Sequence, residues 1–87
     1  MYEVLISNEA AKYYKKLGRN AKQRINKCID SLSIEPLFGP HIKKLHGALE
    51  GKYRFESGSS RIIFEVNDMD KTVFIKAIGS RGGIYKG

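Results

Sequence analysis

Eighty-seven residues are enough for one domain with a modest core and no disulfide staples, and residues 1–87 are read as a single domain. Sixteen Lys and Arg against nine Asp and Glu leave a formal charge of +7, which favours polyanionic partners: nucleic acid, an acidic protein or an anionic surface. With 41% hydrophobic residues, no apolar run of spanning length, no signal-like N-terminus and one cysteine, the composition excludes a helical membrane protein and an internal disulfide, and a cytoplasmic location is expected.

The run YEVLI at residues 2–6 reads as a short strand by its β-branched and aromatic content. Ser7, Asn8 and Glu9 then supply cap-type residues and a negative charge where a helix N-terminus favours both. Ala10, Tyr13 or Tyr14, and Leu17 recur at helical spacing, and Gly18 is placed to end that helix. Asn20 with Gln23 has the form of a capping box opening a second helix. Its apolar stripe is Ala21, Ile25, Cys28, Ile29 and Leu32, which marks Cys28 as a buried small hydrophobe and not a nucleophile. So short a link between the helices predicts an antiparallel hairpin.

Pro36, Gly39 and Pro40 stop the second helix, and residues 35–51 form a long connection containing His41, Lys43, Lys44, His46 and Gly47. Three strands follow around Lys52-Tyr53-Arg54-Phe55, around Arg61-Ile62-Ile63-Phe64-Glu65-Val66, and around Val73-Phe74-Ile75-Lys76-Ala77-Ile78. Ser57-Gly58-Ser59-Ser60 and the run from Asn67 to Lys71 are hairpin connections. The order β-α-α-β-β-β predicts an α+β domain: one four-stranded antiparallel sheet with a helix hairpin on one face.

Alternation sorts the side chains. Tyr53, Phe55, Ile62, Phe64, Val66, Val73, Ile75 and Ala77 form an apolar face for the helices. The other face receives Lys52, Arg54, Glu56, Arg61, Ile63, Glu65, Phe74, Lys76 and Ile78, mixing cations with flat and aliphatic groups. Such a face suits a nucleic-acid strand, with cations for phosphate and apolar groups for bases.

The N-terminal strand, the helix hairpin, Leu45-x-Gly47, Lys52-Tyr53-Arg54, Arg61-Ile62-Ile63-Phe64 and the closing Arg81…Tyr85 together resemble the RelE/ParE superfamily of toxin–antitoxin toxins, over essentially the whole chain and with the RelE-like branch favoured. The resemblance implies a metal-independent, cofactor-free endoribonuclease that cuts mRNA on the ribosome by attack of the ribose 2′-hydroxyl on the adjacent phosphate, and so inhibits translation. Carried over by position, the working residues are Lys52, Arg54, Arg61, Arg81 and Tyr85. The implied partners are the ribosome with its mRNA and a cognate antitoxin, acidic and folding on binding, through which the complex binds operator DNA; no membrane partner is expected.

Arginine stays protonated and cannot be the base, but its planar fork grips phosphate oxygens, so Arg61 and Arg81 fit as clamps. Lys52 and Arg54 fit as neutralisers of the attacking and leaving oxygens, and Lys52 is the one of them that can give up a proton. Tyr85 can stack on a base or exchange a proton. His41 and His46 lie in the connection, where packing or exposure is the commoner role. Two other readings compete: a ParE-like inhibitor of DNA gyrase, whose relatives generally lack the catalytic arginine and tyrosine, and a basic RNA-binding module without turnover.

Overall fold

The computed structural model describes residues 1–49 and 51–80. Strand β1 (Glu3–Ile6) leads into helix α1 (Asn8–Lys15), and helix α2 (Arg19–Ile34) follows after a short turn. Strands β2 (Ile42–Lys44), β3 (Tyr53–Ser57), β4 (Ser60–Asn67) and β5 (Thr72–Ser80) complete the sheet, with a single 3-10 turn at Gly47–Leu49 between β2 and β3. The α+β class is as the sequence predicts, and the predicted elements occur in their predicted order with one further strand, β2, among them. The sheet itself is larger and mixed: five strands in the order β1-β5-β4-β3-β2, with β1 parallel to β5 and the other pairs antiparallel.

The extra strand is β2, three residues inside the connection that pair with β3 through Ile42↔Phe55, Lys43↔Arg54 and Lys44↔Tyr53. A run of three gives alternation nothing to register, and adjacent lysines belong to a sheet edge, where they discourage pairing with another chain. The parallel β1–β5 pair arises because both helices fill the crossover between β1 and the rest of the sheet.

Helix α1 begins as expected: the Ser7 hydroxyl accepts the Ala10 amide at 3.1 Å. Its end differs. Lys16 is the C-cap, and Gly18, at φ −73° in extended conformation, is the N-cap of α2. The proposed Asn20–Gln23 box therefore lies inside α2, which starts at Arg19 with no side-chain cap. Tyr14 donates to the Asn26 side chain at 2.8 Å, joining the two helices.

The predicted α2 stripe packs inward, with Ile25, Cys28 and Leu32 buried and Ile29 packed beside them against Phe55, Ile62, Phe64, Val73, Ile75 and Ile78. Each fully buried side chain of this set contributes roughly 1.5–3 kcal/mol of transfer free energy. Burial raises the pKa of the Cys28 thiol above its usual value, as expected of a core thiol and not of a nucleophile.

One shift in β5 changes the assignment of faces. Ile63 pairs with Ala77 while Phe64 pairs with Ile75, so Lys76 is an extra residue bulged out of the ladder. Alternation resumes out of phase beyond it. Ile78 opposes Ile62 and is in the core, and Ala77 opposes Ile63 on the far face. This reverses the expected positions of Ala77 and Ile78. The bulge is held by α1's cap residue: Ser7 donates its hydroxyl to the Lys76 carbonyl at 2.8 Å, and its amide bonds the Ile75 carbonyl at 2.9 Å.

The hairpin turns follow their sequences. Gly58 has φ 59° at the first central position of the two-residue β3–β4 turn, where a left-handed conformation favours glycine. At the β4–β5 turn Asn67 accepts the Asp70 amide at 3.1 Å, and Lys71 adopts φ 53°.

Candidate functional site

The face turned away from the helices is read directly from the register. Lys43, Arg54, Ile63 and Ala77 form one cross-strand row, Glu56, Arg61 and Gly79 a second, and Glu65, Phe74 and Leu5 a third. Lys52, two residues before Arg54, and Lys76 at the bulge join the same face. The structure therefore brings together Lys52, Arg54 and Arg61 of the sequence-predicted set. Arg81 and Tyr85 lie outside the described residues.

The cations on this face are organised around two carboxylates. Arg54 approaches Glu56 through Nε at 2.8 Å, and Arg61 approaches the other Glu56 oxygen through Nη2 at 3.4 Å. Lys52 and Lys76 converge on Glu65, at 3.3 and 3.6 Å. Four cations thus face two carboxylates, and the local balance stays positive. The two arginine side chains are only 20% and 16% exposed, whereas Lys76 is 39% exposed. Lys52 therefore has an acidic neighbour, Glu65, which it shares with Lys76.

Part of this site escaped sequence reasoning. Alternation places Glu56 and Glu65 on the correct face, but only register shows that each stands between two cations. Gly79, directly opposite Arg61, adds no side chain to the row; it is buried. The combination of half-buried planar guanidiniums fixed by a shared carboxylate favours oxyanion recognition, because a guanidinium presents five donors in a rigid fork.

The histidines take no part in this face. His41 packs its ring 5.7 Å from that of Phe55, on the helix side, and His46 is exposed. A groove of about 280 Å³ runs beside His41, bounded by Ile34, Phe38, Ile42 and Phe55, with Ile34 and Phe38 largely exposed. Among the described residues, no group of three or more His, Cys, Asp or Glu has the arrangement of a metal site. No described helix is long and apolar enough to cross a membrane.

Comparisons with known proteins agree on one fold. Residues 4–85 match the family model described as the ParE toxin of the type II toxin–antitoxin system parDE. The archaeal RelE–RelB complex of Pyrococcus horikoshii contains a chain 30% identical, with TM-score 0.78, covering 94% of this chain and 97% of that one. The toxin–antitoxin complex RelBE2 of Mycobacterium tuberculosis contains one 27% identical, with TM-score 0.79 and coverage of 92% and 98%. The YoeB–YefM complex of Staphylococcus aureus, at 23% identity, TM-score 0.73 and coverage of 93% and 98%, shares the fold. No curated protein matches the chain.

Proposed function

The chain belongs to the RelE/ParE superfamily of type II toxin–antitoxin toxins, and we propose that it is a ribosome-dependent, metal-independent mRNA endonuclease that stops translation. The observation that carries this reading is the pair Arg54 and Arg61, half-sunk in the open sheet face and converging on Glu56. A phosphodiester laid on that pair meets two fixed guanidiniums, and the dianionic charge that develops as the 2′-hydroxyl attacks is stabilised where it forms. Glu56 positions the arginines and keeps two like charges together in the absence of RNA. Lys52, held on the adjacent strand position by Glu65, supplies a further cation for the attacking or leaving oxygen. Arg81 is proposed as the second clamp and Tyr85 as the base-stacking or proton-exchanging group, in line with the superfamily resemblance. Arg54 and Arg61 stay protonated and bring no general base, so alignment of the 2′-hydroxyl by the ribosome is assigned a large share of the rate.

A cognate antitoxin is the second proposed partner, acidic and folding on the basic surface, with the antitoxin contributing operator binding. Its support is the +7 charge together with relatives found in toxin–antitoxin complexes. The other functional reading, inhibition of DNA gyrase, draws on the family model's description as a ParE toxin. The two part in cells. Induction of the chain, with mRNA 5′ ends mapped beside an Arg61→Ala form, gives codon-phased cuts that vanish in the mutant if the nuclease reading holds. Growth arrest with intact mRNA and accumulating DNA breaks sinks it in favour of gyrase.

A further inference from the structure

The cation-bearing face carries, at the end away from Arg61, a pair of exposed apolar side chains. Leu5 and Phe74 are direct register partners, 42% and 37% exposed. Isolated surface hydrophobics are common and need no explanation. These two are adjacent, and they share a setting built around the ring. The Lys76 ammonium lies 4.4 Å from the Phe74 centroid and 3.6 Å from Glu65. A hollow of about 410 Å³ adjoins the ring, lined by Leu5, Glu65, Val66, Asn67, Asp70, Thr72 and Phe74. A cation on an aromatic face polarises it and fixes its orientation, which suits the ring for stacking.

We propose that Phe74, backed by Leu5, is a stacking platform for one base of a single-stranded RNA whose phosphates follow the cations towards Arg54 and Arg61. The proposal rests on the RNA reading above and adds a base-binding site to it. Arg61 and Glu65 are four residues apart on β4, about 13 Å at strand rise, so platform and clamp are held at a fixed spacing along an extended strand. The hollow selects for a base and against a phosphate. Glu65 and Asp70 repel phosphate, while their oxygens accept hydrogen bonds from an exocyclic amine. Asp70 takes one bond from the Asn67 amide at 3.1 Å, and a carboxylate has capacity for more. Bases carrying an amine are therefore favoured over uracil at this position.

The test uses RNA hexamers that are 2′-O-methylated throughout, so that binding is read without cutting. Fluorescence anisotropy across a salt series is measured for the wild-type chain, Phe74→Ala, Phe74→Trp and Arg61→Ala. Loss of a stacked base corresponds to about tenfold weaker binding for Phe74→Ala, with the salt slope unchanged because no cation is removed. Phe74→Trp, which restores a larger ring at the same exposed position, binds at least as well as wild type. Arg61→Ala instead lowers the slope by about one. An adenine hexamer binds more tightly than a uracil hexamer, and Phe74→Ala narrows the difference.

Wild-type affinity in Phe74→Ala overturns the platform, as does absence of hexamer binding by the wild-type chain. Loss of antitoxin affinity with RNA affinity intact assigns the patch to a protein partner and also overturns it. Phe74-dependent hexamer binding without any mRNA cutting leaves the platform standing and removes only the nuclease reading. Cutting with Phe74-independent binding does the reverse.

Discussion

The Ser7 hydroxyl donates to the Lys76 carbonyl at 2.8 Å while accepting the Ala10 amide at 3.1 Å, so one side chain caps α1 and pins the bulge in β5. The bulge in turn moves Ala77 to the cationic face, beside Lys76, and Ile78 to the core. Ser7→Ala removes the cap and leaves a part-buried carbonyl short of a partner. The expected loss is about 1–2 kcal/mol, read as a lower denaturant midpoint with unchanged m-value.

The bulge also sets opposite tolerances at neighbouring positions. Ile78→Ala opens a hole beside Ile62 and costs roughly 2–4 kcal/mol. Ala77→Ser, on the outer face, stays within about 0.5 kcal/mol. Thermal unfolding of the two variants decides the register; equal losses, or the reverse order, contradict the bulged pairing.

Glu56→Gln separates binding from catalysis. Removing the charge between Arg54 and Arg61 makes the face more positive, so RNA binds a few-fold more tightly with a steeper salt dependence. The guanidiniums lose their common support, and the cutting step slows by about 10- to 100-fold. A fall in KM together with a fall in kcat is the signature; parallel losses of both affinity and rate contradict the positioning role.

Stability has a pH signature near the chain's start. Tyr2 donates to Asp68, Lys71 reaches the same Asp68 oxygen at 3.3 Å, and the Lys71 ammonium sits 5.0 Å from the Tyr2 ring centroid. The Tyr2 hydroxyl bond, then Lys71, hold the Asp68 carboxyl below its usual range. The bond to Asp68 raises both Tyr2 and Lys71 above theirs. The Asp68 contribution is present above its unfolded value near 4 and is lost as pH falls through the lower folded value. The Tyr2 and Lys71 contributions are present below their unfolded values near 10 and are lost as pH rises through the higher folded ones. The stability gap between the wild-type chain and Asp68→Asn is therefore widest between about pH 4 and 10. Urea midpoints for both chains at about pH 3 and 11, outside those limits, and at about pH 7, midway between them, measure it.

Much of this architecture was legible in the chain because it is local. Ser7 caps α1, the Ile25–Cys28–Leu32 stripe is buried, and the three C-terminal strands stand where β-branched content placed them. What escaped depends on distant partners. The three residues of β2 become a strand only because β3 offers an edge, and the parallel direction of β1 is fixed by its neighbour β5. Lys76 has no bulge signature of its own; Ser7, far away in the chain, supplies it. At the site, alternation gathers the cations on one face, while the sharing of Glu56 and Glu65 needs the register. Gly18 misled because a glycine after one helix is also a glycine before the next.

The proposed reaction is attack of a ribose 2′-hydroxyl of mRNA on the phosphate held at Arg54 and Arg61. Its most direct test is incubation of the purified chain with ribosomes programmed by an mRNA carrying a single 2′-deoxy substitution at the mapped cut site. The expected result is that the unsubstituted mRNA is cut to a 2′,3′-cyclic phosphate and a 5′-hydroxyl without added metal beyond the ribosome's own, and that the substituted mRNA stays whole. Cleavage that persists at the 2′-deoxy position, or no cleavage of either mRNA, contradicts it.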